Sequence, residues 1–191
     1  MKHTLAASAF LIVCCGAYAA PVTYNVDPGH TYPSFEADHM GGMSILRGKF
    51  TKNSGTVVLD RDAKTGSVDI TVDATSIDFG DPKLNEHVKS DLMLDVQKFP
   101  TAEYKGKLAK FKDGAPTEVE GDLTLHGVSK PVTLQINQFT CRVNPMLKRE
   151  VCGADASATI NRKDFGVDFG EKTGFKMDMK LQIEIEAIKA P

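Results

Sequence analysis

The chain runs to 191 residues and carries 23 Lys and Arg against 25 Asp and Glu. That length suits one domain around one core, and the interspersed charges exclude the basic patch on which nucleic-acid binding depends. No apolar run reaches the roughly 20 residues of a membrane-spanning helix, so stable membrane insertion is not expected.

The first twenty residues read as an address for export. Lys2 opens the segment, Leu5 to Val13 form a short apolar core, and Ala17-Tyr18-Ala19 has the small-x-small pattern that precedes cleavage. The expected layout is a cleaved signal peptide over 1–20, release into the periplasm, and one folded domain over 21–191. Cys14 and Cys15 raise the alternative of a lipid-anchored N-terminus, although Val13, which precedes Cys14, is not small.

Short alternating segments follow. Val22, Tyr24 and Val26 share a face before the turn Asp27-Pro28-Gly29, and Phe35, Ala37 and His39 share one before Gly41-Gly42. Ile45 to Thr51 and Thr56 to Asp60 flank Asn53-Ser54-Gly55, which reads as a hairpin. Val68, Ile70 and Val72 alternate next with Asp69, Thr71 and Asp73.

The two-residue period then breaks. Asp81 suits a helix cap and Pro82 the first helical position, while Leu84, Val88 and Leu92 recur every four residues. Glu86 and Lys89 are spaced to pair on the solvent side, and Phe99-Pro100 ends the segment. The pattern predicts one helix of about three turns, covering one end of a barrel.

Alternation returns over Glu103 to Phe111. From Gly121 to Leu134, Leu123 and Leu125 alternate with polar residues, His126-Gly127 forms a tip, and Pro131 restarts a strand carrying Val132, Leu134 and Ile136. Cys141 and Cys152 read as a structural disulfide in an oxidising compartment. The last run has the clearest period, with Met177, Met179, Leu181, Ile183, Ile185 and Ala187 against polar neighbours. Strands so evenly spaced argue for an antiparallel sandwich or barrel, and about eight strands enclose room for side chains or one small ligand.

Chemistry is hard to find. There is no Gly-x-Ser-x-Gly elbow and no Gly-rich phosphate loop, and the paired carboxylates fall on polar strand faces. Neither a His-x-His pair nor a second cysteine pair suggests zinc. No catalytic residue, metal or cofactor is expected. His30 and His126 read as turn residues. His39 and His87 stand among apolar neighbours, as structural residues or as polar contacts at the mouth of an apolar cavity.

The run from Gly121 to Leu134 closely resembles the signature of the YceI-like, polyisoprenoid-binding family. Val22 to Asp27, His39-Met40-Gly41, Gly48-Lys49-Phe50, His87 to Ser90 with Phe99-Pro100, and Asn161 to Gly166 match in order over nearly the whole chain past residue 20. The segment from Cys141 to Asp155 resembles a cysteine-bearing subgroup. Leu84-Asn85 stand where many relatives have Arg-Asp, and Met93 and Leu94 where aromatics are common, so head-group preference does not transfer.

The resemblance implies an all-β, eight-stranded antiparallel lipocalin-like barrel with one short helix near its mouth. It also implies a lengthwise apolar cavity for an isoprenoid quinone or polyprenyl-type lipid. The residues expected to bind are Phe35, His39, Met40, Ile45, Phe50 and Phe79, then Leu84, His87, Val88 and Leu92, then Phe99, Phe165 and Phe169. The expected function is a periplasmic carrier rather than an enzyme. The alternatives are a stress-response module without a ligand and an accessory to quinone redox chemistry, and a homodimer is left open.

Overall fold

Period-two sequence becomes strand along most of residues 20–191, which the computed structural model describes. The expected signal segment, apart from Ala20, lies outside the described residues. The strands are β1 (Val22–Val26), β2 (Tyr32–His39), β3 (Ser44–Phe50), β4 (Asn53–Asp60), β5 (Thr65–Asp73) and β6 (Ile77–Asp78). After helix α1 (Pro82–Lys89) come β7 (Thr101–Ala109), β8 (Glu118–Leu125), β9 (Val128–Asn144), β10 (Arg149–Asn161) and β11 (Asp178–Lys189).

These eleven strands make eight staves. β1 and β2 pair in succession along β11, with Val26 opposite Ala187 and Tyr32 opposite Glu184. β4 pairs with β1 and β3 with β2, while β5 pairs with β4 and β6 with β3. Each couple is thus one stave with a break. β7 to β11 supply five more, and the pairing of β11 with β1 closes an antiparallel barrel. Closure removes the exposed strand edges an open sheet would carry.

The three breaks lie side by side and are stitched by side chains. Asn53 donates from Nδ2 to the Thr31 carbonyl at 2.6 Å. Ser76 Oγ accepts from the backbone N–H groups of Thr51 and Lys52 at 3.2 and 3.0 Å. Asp73 caps the short 3₁₀ turn at 74–76, accepting from the Thr75 N–H at 2.9 Å.

Three local expectations need correction. Asn53-Ser54-Gly55 is not a hairpin turn: it lies inside β4, and β3 pairs with β2 and β6 instead. Gly55 serves close approach, because a Cβ there would sit 2.2 Å from the Asp69 carbonyl oxygen. Helix α1 spans eight residues, about two turns at 3.6 residues each. It stops where Ser90 donates from its backbone N–H and Oγ to the His87 carbonyl, at 3.2 and 2.7 Å. Leu92 therefore falls beyond the helix. Finally, β9 begins at Val128, and Pro131 sits within it opposite Asp122.

The helix start and the Gly121–Leu134 hairpin follow the sequence. Asp81 accepts from the Lys83 N–H at 2.9 Å with Pro82 in the first position, and Lys89 pairs with Glu86 at 3.0 Å. His126 and Gly127 form a two-residue turn with φ of +51° and +75°, the left-handed pair whose twist matches the flanking strands. Cys141 and Cys152 face each other across β9 and β10 and are bonded.

Candidate functional site

Alternation points one face of every stave inward, yet the inward side chains do not fill the barrel. Two packed regions form instead. Tyr24, Leu59, Leu108, Val119 and Leu134 belong to the lower one. Phe35, Ile77, Val88, Leu94 and Val167 form the upper one, under α1. A cavity of about 620 Å³ runs past both, a volume typical of small-molecule sites. Leu123, Leu125, Val132 and Leu134 of the β8–β9 hairpin all reach it, as do Leu181 and Ile183 from β11.

Most polar groups along the cavity are already engaged. The Tyr104 hydroxyl contacts the carbonyls of Val132 and Val119 at 2.7 and 3.0 Å, and burial pushes its pKa up to about 12. At the lower end Tyr24 donates to Glu150, which Arg61 also contacts at 3.1 Å. Thr31 Oγ1 donates to the Glu186 carbonyl and accepts from its N–H.

The upper end differs. Asp38, His39, Asp81, His87 and Arg162 line it together with Phe169 and Phe175. The segment between β10 and β11 crosses here. Its Phe169 ring meets His87 edge-on at 5.0 Å, and its Phe175 ring meets His39 at 5.9 Å. Asp38 anchors the same segment, accepting from the Gly41 N–H at 2.8 Å and the Lys176 N–H at 3.0 Å. The hydrogen bond from the Lys176 N–H leads in holding its carboxyl below the ordinary range.

Of the residues expected to bind, Phe35, His39, Phe50, Phe79, Leu84, His87, Val88 and Phe169 line the cavity. Five are placed elsewhere. Met40 sits in the β2–β3 turn with φ of +51°, and Ile45 lies on the outward parity of β3, where Leu46, Gly48 and Phe50 point inward. Leu92 is 59 % exposed past α1. The Phe99 ring packs on His126 at 4.5 Å, outside the cavity. Phe165 is buried in the turn after β10, where its carbonyl lies 3.1 Å from His126 Nδ1. Arg162 and Phe175 were absent from the expected set. Only the Asn161–Gly166 match marked Arg162, since one residue at a strand end has no period. Among the described residues no group of three or more His, Cys, Asp or Glu is placed to hold a metal.

Comparison with known proteins agrees with this geometry. The YceI-like domain model matches residues 24–187. A UPF0312 protein of Pseudomonas aeruginosa is 30 % identical over 195 residues, covering 99 % of each chain. Among solved structures, Burkholderia cenocepacia BcnA superposes with a TM-score of 0.66 at 22 % identity, covering 85 % of this chain and 99 % of its own. A polyisoprenoid binding domain from Saccharophagus degradans gives 0.63 at 14 % identity, covering 88 % and 99 %. At those identities the two structures support the barrel.

Proposed function

The chain belongs to the YceI-like family, and from that membership we propose that it is a periplasmic carrier holding an isoprenoid quinone or polyprenyl-type lipid. The observation that carries the reading is the continuous apolar cavity. A core closed by its own side chains would leave no space of about 620 Å³ along the axis. The Saccharophagus degradans neighbour, described as a polyisoprenoid binding domain, supports the same ligand class.

The energetics are adequate. Burying one five-carbon isoprene unit contributes up to about 3–4 kcal/mol, so two or three units approach micromolar affinity after the costs of association. Chain beyond the cavity adds nothing, so selectivity for length is loose. Phe35, Phe50, Phe79, Leu84 and Val88 grip the hydrocarbon, and His39, His87 and Phe169 surround its polar end. The leader over 1–20 directs export, and the domain over 21–191 carries the lipid without catalysis.

Native mass spectrometry of protein purified without detergent tests this. A lipid-sized adduct that is released on denaturation is expected. An empty barrel that also refuses added prenyl quinones and prenyl phosphates would sink the reading.

A further inference from the structure

Among the described residues, the upper end of the cavity holds a cation that joins no ion pair. Arg162 opens the 3₁₀ turn that follows β10 (Arg162–Phe165), where Asn161 caps the turn by accepting from the Lys163 N–H. The residue is only 6 % exposed and lines the cavity. Its guanidinium has five N–H donors and keeps its charge throughout the physiological range. Nη1 donates to the Val167 carbonyl at 2.8 Å and Nη2 to the Phe169 carbonyl at 2.7 Å. Among the described residues, that leaves three of the five donors without a protein acceptor.

The charge is also short of partners. Arg162 joins none of the ion pairs among the described residues. Asp168, Asp38 and Glu171 act on it from farther away. Asp38 is engaged by two backbone N–H groups, and Glu171 by Lys163. Burial is the largest influence on the guanidinium and pushes its pKa below the ordinary value. A buried charge in that condition is costly unless something else completes its shell.

Phe169 ties this cation to the rest of the mouth. Its carbonyl accepts from Arg162 while its ring meets the His87 imidazole. The His87 ring nitrogens have no hydrogen-bond partner among the described residues. Free donors thus gather at one end of an otherwise apolar cavity, the arrangement that orients an amphiphile.

We propose that Arg162 is the residue that reads head-group charge, so that the lipid held in this cavity carries an anionic oxygen head, such as a phosphate monoester or carboxylate. The head sits on the unused N–H groups of Arg162 with His87 beside it, and the hydrocarbon runs down the barrel. This rests on the lipid-carrier reading above and sharpens it toward charged heads over neutral ones.

Calorimetric titration of the purified protein with geranylgeranyl phosphate and with geranylgeraniol separates the two ideas. The phosphate is expected to bind at least about tenfold more tightly, as charge-assisted hydrogen bonds require. Arg162→Gln is expected to bring the two within about threefold by weakening the phosphate lipid far more than the alcohol, and Arg162→Lys to keep part of the preference. Inorganic phosphate alone, at millimolar concentration, is expected neither to compete nor to raise Tm. Equal affinity of the wild-type protein for both lipids overturns the inference and leaves the carrier reading standing. Binding of neither overturns the inference, and overturns the carrier reading with it if prenyl quinones are refused as well. Displacement of the phosphate lipid by inorganic phosphate overturns the inference, because the site would then take a free anion. Should Arg162→Gln fail to fold, the wild-type ratio still decides.

Discussion

Tyr24 and Glu150 lie 126 residues apart in sequence and share a hydrogen bond at the lower end of the barrel. Their acidities move in opposite directions. Burial, then the bond to Glu150, pushes Tyr24 up to about 12. Burial alone would raise Glu150, but hydrogen bonds from Tyr24 and Arg61 outweigh it and hold the carboxyl below its ordinary range.

Stability should therefore fall at both ends of the pH scale. Glu150, with a depressed folded pKa, contributes above the ordinary carboxyl value and loses that contribution as pH falls through the folded one. The Tyr24 contribution is complete below about pH 10 and is lost as pH rises through about 12. Tyr24→Phe should cost about 1–2 kcal/mol at neutral pH and flatten the acid limb of a plot of Tm against pH. An acid limb identical to that of the wild type would show that the phenol does nothing for Glu150.

The disulfide offers a second test. Cys141 and Cys152 are separated by 11 positions, and closing such a loop stabilises by about 2–4 kcal/mol. Replacing both with serine should lower Tm equally with and without reductant, and wild-type protein should fall to a similar Tm only when reduced. Denaturant curves for the two proteins that coincide under oxidising conditions would mean the strand ladder alone sets stability.

Gly127 tests the hairpin turn. Its φ is +75°, and a Cβ there would lie 2.5 Å from the Phe99 ring. Gly127→Ala should cost more than about 1 kcal/mol through backbone strain and through displacement of Phe99 from His126. A midpoint in urea unchanged from the wild type would contradict the turn geometry.

Val132 tests the cavity as a container. It lines the cavity, so a phenylalanine ring in its place would extend into the space a ligand occupies. Val132→Phe should leave Tm unchanged or raise it, while weakening lipid uptake at least about tenfold. Undiminished uptake, measured by native mass spectrometry or titration, would place the ligand elsewhere.

The sequence shows the barrel where period and burial coincide, and it misleads where one residue type serves two purposes. β11 alternates without a slip, and all the inward residues from Met179 to Ile185 line the cavity. Gly55 carries the same letter as a turn glycine, but it is there so that two backbones can approach closely. Leu92 continues a four-residue spacing that Ser90 has already ended. Ile45 has the composition of a lining residue and the wrong parity, since only pairing with β2 fixes which side faces in. Arg162 becomes visible once the fold brings the 162–177 segment over the mouth, because its importance lies in what surrounds it and not in its spacing.

The side-by-side breaks in three adjacent staves have a consequence for cooperativity. Along this part of the wall the ladder is divided into an upper strip, β2, β3 and β6, and a lower strip, β1, β4 and β5, joined through Asn53, Asp73 and Ser76. The upper strip is expected to open at a free-energy cost smaller than that of global unfolding, because its cross-strand bonds can be lost while those below persist. Amide hydrogen exchange should resolve the two as separate protection classes, with β2, β3 and β6 exchanging ahead of β9, β10 and the lower half of β11. Uniform protection around the barrel would mean the stitches couple the strips into one unit. A barrel that opens by sub-global fluctuation next to its mouth can admit a long chain without unfolding.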